Sequence, residues 1–149
     1  MNTTGKKELF FAAAIVTLFV FLVISASAAD KIVGQWNYST SNHWAKGPVP
    51  SGSSSKGIIV ITQTGSQYKM EIKSGMVFSP PSLKYFTGIK KGQEYIFTNS
   101  AKVDNEGGLA KNTCTLKMTS GNTSKGKSFS SYTNSGITFS WGFDMALKK

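Results

Sequence analysis

The residues able to do chemistry form a short inventory. The 149-residue chain has one cysteine (Cys114), one histidine (His43) and seven carboxylates. One Cys excludes an intramolecular disulfide, and one Cys with one His cannot assemble a Cys/His structural zinc site or the two-histidine motif of a zinc protease. His43 has no second ligand near it in sequence and reads as a solvated loop histidine. Cys114 lies between Thr113 and Thr115, in step with Leu116 and Met118, which predicts a buried, inert thiol rather than one that reacts or pairs between chains. Asp104 and Glu106 precede Gly107 and Gly108, but they fall short of calcium-loop spacing, and carboxylates this close in sequence seldom face one sugar bond. These residues predict no enzyme, no metal and no cofactor. Asn37-Tyr38-Ser39 and Asn122-Thr123-Ser124 match glycosylation acceptors, a frequent chance match that matters only in a host that glycosylates exported proteins.

The elements that would position any site begin after an N-terminal leader. Lys6 and Lys7 precede an uncharged stretch, Leu9 to Ser25, followed by Ala26-Ser27-Ala28-Ala29. A basic start, an apolar run and small residues form the three-part pattern of a secretory signal, with cleavage after Ala28 or Ala29. The competing reading is an uncleaved anchor, since about 17 apolar residues reach the lower limit for crossing a bilayer. The expected organisation is a signal peptide over 1–29 and a single domain over 30–149, secreted or periplasmic. All 17 cations of the chain are Lys, for a formal net charge of +10.

Within 30–149, no stretch repeats apolar residues at helical spacing, whereas period-two alternation is widespread. It is longest where Ile137, Phe139, Trp141, Phe143, Met145 and Leu147 alternate with Thr138, Ser140, Gly142, Asp144, Ala146 and Lys148. The remaining strands are expected over 32–39, 57–64, 67–73, 83–89, 94–99, 113–119 and 127–133. Thr64-Gly65-Ser66 reads as a tight hairpin, because Gly supplies the positive φ of a short turn. Eight short strands without crossover helices imply an antiparallel meander, which closes most economically into an all-β, eight-stranded up-and-down barrel. A two-sheet sandwich is the alternative.

The segment Lys31-Ile32-Val33-Gly34-Gln35-Trp36 opens the first strand with Gly34-x-Trp36 and is followed by strands up to a long alternating C-terminal one. The chain thereby resembles the calycin group of secreted β-barrels, the lipocalins and their bacterial relatives; avidins share the same opening and a similar length. The resemblance implies that Gly34 and Trp36 are structural residues of the barrel end, with Trp36 plugging it. The chain departs from the lipocalin pattern in three ways: it has no Arg to stack on Trp36, no clear Thr-Asp-Tyr, and no long helix after the last strand. Lys148 or Lys149 could fill the Arg position only in part, for lack of the planar guanidinium fork.

Strand parity places Phe139, Trp141, Phe143 and Met145 on one face, Cys114, Leu116 and Met118 on another, and Tyr68, Met70 and Ile72 on a third. An eight-stranded barrel is just wide enough to be filled by such side chains or to hold one small ligand. Two connections have unusual apolar content: Met76 to Leu83 with Phe78, and the Gly/Pro/Ser-rich Ser41 to Lys56 with Trp44. Loops are polar unless they cover something, so both are expected to rim the mouth. The expected ligand set is thus Trp44, Phe78, Tyr68, Met70, Leu116, Met118, Phe139, Trp141 and Phe143, around a small apolar or amphipathic molecule. Lys69, Lys73, Lys84, Lys90, Lys91, Lys117, Lys125 and Lys127 fall at outward parity or in turns. They support a second expectation, attraction to anionic lipid, lipopolysaccharide or polysaccharide. A third is an adhesion or inhibitor module working through its loops. Nucleic acid is not an expected partner, because Arg makes the usual bidentate contacts to phosphate and guanine. The chain is expected to act as a monomer.

Overall fold

Alternating burial along every strand builds the molecule. The computed structural model describes residues 29–49, 52–76, 80–103 and 107–149; residues 1–28 of the proposed leader and the residues Phe78, Asp104 and Glu106 lie outside the described residues. Eight strands follow in order: β1 (Gly34–Lys46), β2 (Lys56–Thr64), β3 (Gln67–Ile72), β4 (Tyr85–Lys91), β5 (Glu94–Lys102), β6 (Leu109–Met118), β7 (Thr123–Asn134) and β8 (Ile137–Lys148). A 3-10 turn, Pro81–Lys84, precedes β4. Each strand pairs antiparallel with its sequence neighbour, and β8 pairs back onto β1, so the sheet is a closed up-and-down barrel and not a sandwich. Closure leaves no unpaired edge.

Two strands reach beyond their expected limits. β1 continues to Lys46, seven residues past Ser39, and β6 begins at Leu109, four residues before Thr113. The β1 extension crosses a β-bulge. Ser41 faces Asp144 and Trp44 faces Gly142, so Asn42 and His43 together oppose Phe143. Asn42 takes φ 50°, a left-handed conformation that Asn tolerates, and its amide Nδ2 donates to Asp144 Oδ2 at 2.7 Å. One extra residue reverses strand parity. Tyr38 and Thr40 point inward before the bulge; afterwards His43 points inward and Trp44 outward.

The end of the barrel where β1 begins is solid. Trp36, Ile59, Ile61, Phe97 and Leu116 are wholly buried, with Ile32 drawn beneath them by the coil that precedes β1. The Trp36 indole N–H donates to Ile32 O at 2.7 Å. Lys149 lies over the Trp36 ring, its Nζ 4.8 Å from the centroid, and donates to the carbonyls of Lys31 and Val33 at 3.0 Å each. Lys149 therefore takes the position that the resemblance would give an Arg. A point-like ammonium serves because its remaining donors are used on two backbone carbonyls of the entering coil rather than on a planar fork. Large side chains fold over glycines to seal this half: a Cβ on Gly88 would lie 2.5 Å from the Phe97 ring, and one on Gly126 would lie 2.7 Å from Leu116.

Asp30 clasps the same end from below. Its carboxylate accepts from Lys90 Nζ at 2.7 Å, from Tyr68 Oη at 3.0 Å and from Tyr95 Oη, while its backbone N–H donates to Gln63. Partial burial works against the charged carboxylate, but the Lys90 ammonium and the two tyrosine hydroxyls outweigh it and bring its pKa from 3.8 down to about 2. A depressed carboxyl stabilises the fold fully above its ordinary value and stops doing so as pH falls through the depressed one. Asp30→Asn is expected to cost about 1–2 kcal/mol at pH 7, after allowance for solvent screening. Thermal melts from pH 7 to pH 2 check this: the gap between wild type and variant should hold to about pH 4 and close towards pH 2. An equal gap at every pH would contradict the assignment.

Candidate functional site

The half of the barrel towards the β1–β2, β3–β4 and β5–β6 connections is hollow. A cavity of about 530 Å3 opens there. On each lining strand the boundary falls at one level. Met70 and Ile72 of β3 line it and Tyr68 lies below; Ala110, Asn112 and Cys114 of β6 line it and Leu116 lies below. On β8, Trp141, Phe143 and Met145 line it and Leu147 belongs to the solid half. The space exists because of β7, whose inward residues at this level are Ser128 and Ser130, too small to reach across.

Local structure brings the rim inward. The Tyr38 hydroxyl accepts from the backbone N–H of Met76 at 2.8 Å and donates to Ser74 O at 3.1 Å, which turns Met76 over the cavity. The Tyr38 ring passes where a side chain at Gly57 would stand, and Gly75, at φ 100°, lets the chain turn against its hydroxyl. The 3-10 turn starts with Pro81 and buries Leu83 on the wall. Asn99 Nδ2 holds that turn by donating to the carbonyls of Leu83 and Tyr85. Val49 and Ser55 of the β1–β2 connection complete this side, while Tyr132 stacks on Phe139 with parallel rings 6.2 Å apart at the mouth.

Of the residues expected to meet a ligand, the structure gathers Met70, Trp141 and Phe143 on the cavity wall. Tyr68 and Leu116 are packed in the solid half, and Met118 is half-buried against the same cluster. Phe139 stands at the mouth on Tyr132. Trp44 is a correction. It is a strand residue on the outer wall, 43% exposed, lying over Gly142 and 6.0 Å from Phe129. The bulge at Asn42–His43 turned it outward, and its ring covers a glycine that leaves the outer face of β8 bare. His43 is corrected with it: it belongs to β1, is half-buried, shares a hydrogen bond with Thr40 Oγ1 at 2.9 Å and lies 5.1 Å from the Phe143 ring.

Asn112, Ser128, Ser130, Ala110, Phe86 and Val103 also line the space and stood outside the expected set. Polar Ser and Asn give no apolar period. The only signal was their spacing, since Ser128 and Ser130 share parity with Gly126 while Lys127, Phe129 and Ser131 occupy the other face. Among the described residues no lining side chain carries a charge, and no three His, Cys, Asp or Glu come together as a metal cluster. No model of a known protein family matches the chain, and no curated protein matches it either. The fold and the site define a closed eight-stranded antiparallel barrel, plugged at one end and hollow at the other, compatible with a lipocalin-like barrel.

Cys114 faces the hollow, 2% exposed, with its Sγ 3.5 Å from Met145 Sδ. Burial pushes its thiol pKa up to about 12, which leaves almost no thiolate near neutrality. Folded protein at pH 8 is expected to react with a water-soluble aromatic disulfide about two to three orders of magnitude more slowly than the unfolded chain. Absorbance of the released thiolate measures both rates, and equal rates would contradict a buried thiol.

Proposed function

We propose that the protein is an exported, non-enzymatic binding protein that holds one small apolar or amphipathic molecule in the hollow half of its barrel. The observation that carries this reading is the cavity of about 530 Å3 with predominantly apolar walls. Its size falls within the range of small-molecule sites. An unfilled apolar space forgoes dispersion contacts and costs stability roughly in proportion to its volume. The lower half of the same barrel is closed by Phe97 and Leu116 over glycines, so side chains of adequate size were available to the fold. Ser128, Ser130 and Ala110 stand where larger residues would have closed the upper half too. Export rests on the leader pattern in the sequence.

The lysines support a second reading, a positive exterior that attracts anionic lipid or polysaccharide. Lys117, Lys125 and Lys127 are exposed on the outer wall, whereas Lys73 is paired with Glu71 and Lys90 with Asp30. Ionic strength separates the two, because exposed charges are screened by salt and an apolar cavity is not.

Neutral N-phenyl-1-naphthylamine is the probe. The expected result is saturable fluorescence enhancement at one dye per chain, unchanged in 1 M salt. Ser128→Phe, which fills the hollow from β7, is expected to weaken the dye at least about tenfold, with overpacking costing about 1–3 kcal/mol of stability. Trp44→Ala, on the outer wall, is expected to leave dye binding as it was. No saturable enhancement with a folded protein, or a loss with Trp44→Ala but not with Ser128→Phe, would overturn the reading.

A further inference from the structure

Two neighbouring polar side chains on the cavity wall, Asn112 and Ser130, have their hydrogen-bonding polarity set by the residues behind them. Asn99 of β5 faces Asn112 of β6, which faces Ser130 of β7. The Asn99 amide nitrogen is committed to the Leu83 and Tyr85 carbonyls, so Asn99 can present only its Oδ1 to Asn112. Asn112 must answer with its Nδ2, and does so at 2.8 Å. The amide is thereby oriented, and Asn112 Oδ1 is left as an acceptor on the cavity side, beside its cross-strand neighbour Ser130. Among the described residues, neither Asn112 Oδ1 nor Ser130 Oγ has a protein hydrogen-bond partner, although the two residues are only 6% and 5% exposed and both line the cavity. Among the described residues no side-chain N or O sealed from solvent lacks a partner, so both atoms open onto the hollow, where a bound molecule can pair with them.

We propose that the cavity is built for a neutral amphipathic molecule whose hydroxyl or N–H head is held between Asn112 Oδ1 and Ser130 Oγ, with its apolar part against Met70, Phe86 and Phe143. This rests on the container reading above. The head must donate, since Asn112 Oδ1 can only accept, and it can accept in turn from the Ser130 hydroxyl. A carboxylate is the wrong head. It would set its oxygens against Asn112 Oδ1 with no cation among the described lining residues, and would give up its hydration for nothing.

Displacement of N-phenyl-1-naphthylamine by 1-decanol, decyl methyl ether and decanoate at pH 8 tests this. The three share a chain length and differ in whether the head donates, only accepts or is anionic. For wild type, 1-decanol is expected to displace the dye at about tenfold lower concentration than the ether or decanoate, the scale of one net hydrogen bond. Asn112→Leu is expected to abolish the preference for 1-decanol over the ether, taken as the ratio of their displacing concentrations, in which any change in the variant's own affinity for the dye, itself an N–H donor, cancels. Since Asn112→Leu strands Asn99 Oδ1, Ser130→Ala provides the milder variant, expected to weaken 1-decanol about threefold or more after correction for the variant's own affinity for the dye. Decanoate or the ether binding wild type as well as 1-decanol, or a folded Ser130→Ala with undiminished 1-decanol affinity, would overturn the head-group assignment while leaving the container reading in place. Failure of the dye to bind folded wild type overturns both.

Discussion

The seating of Trp36 is the constraint on which the rest of the barrel depends. A cylinder of eight strands has two openings, and an apolar interior open at both ends would admit water along its length. Trp36 closes one of them, held by its own N–H on Ile32 and covered by the last residue of the chain, Lys149. This ties the coil before β1 to the end of β8 at the seam where the sheet closes on itself. Asp30 adds polar fastening beneath, with two tyrosines and a lysine converging on one carboxylate. Apolar burial supplies the larger energy, and the hydrogen bonds ensure that the polar atoms carried into the plug are paired.

With one end sealed, the other can be left open without the whole interior flooding. Phe97 and Leu116 mark the level at which the packing stops, each lying over a glycine on the neighbouring strand. Above them the wall is uneven. β8 contributes Trp141 and Phe143, β3 contributes Met70 and Ile72, and β7 contributes two serines. The hollow is therefore a product of side-chain size on one strand, within a backbone ladder that runs unbroken through both halves.

The architecture was legible because a closed sheet with one dry face imposes period two on every strand, and turns between antiparallel neighbours require residues such as Gly65. The long alternation from Ile137 to Leu147 shows this directly. The plug was legible in part: Trp36 could be placed from its motif, while the cation over it was narrowed only to Lys148 or Lys149, and the structure selects Lys149. Trp44 was assigned to a connection rimming the mouth because the first strand was expected to end at Ser39; the strand runs on to Lys46 through an extra residue at Asn42–His43 that has no apolar signature of its own. The polar part of the site was hidden for a different reason. Ser128, Ser130 and Asn112 resemble solvent-facing strand residues in type, and only the register shows that they face inward.

The level at which the packing stops also divides the barrel by the kind of change it can absorb. A substitution below it alters the plug, and with it the fold of the whole chain. A substitution above it, at Ser128 or Ser130, alters volume and polarity while the closed end and the backbone ladder stay as they are. The two halves can thus drift under separate selection. A lineage built on this barrel could exchange one cargo for another through a few positions on β6 and β7, its residues below Phe97 held constant.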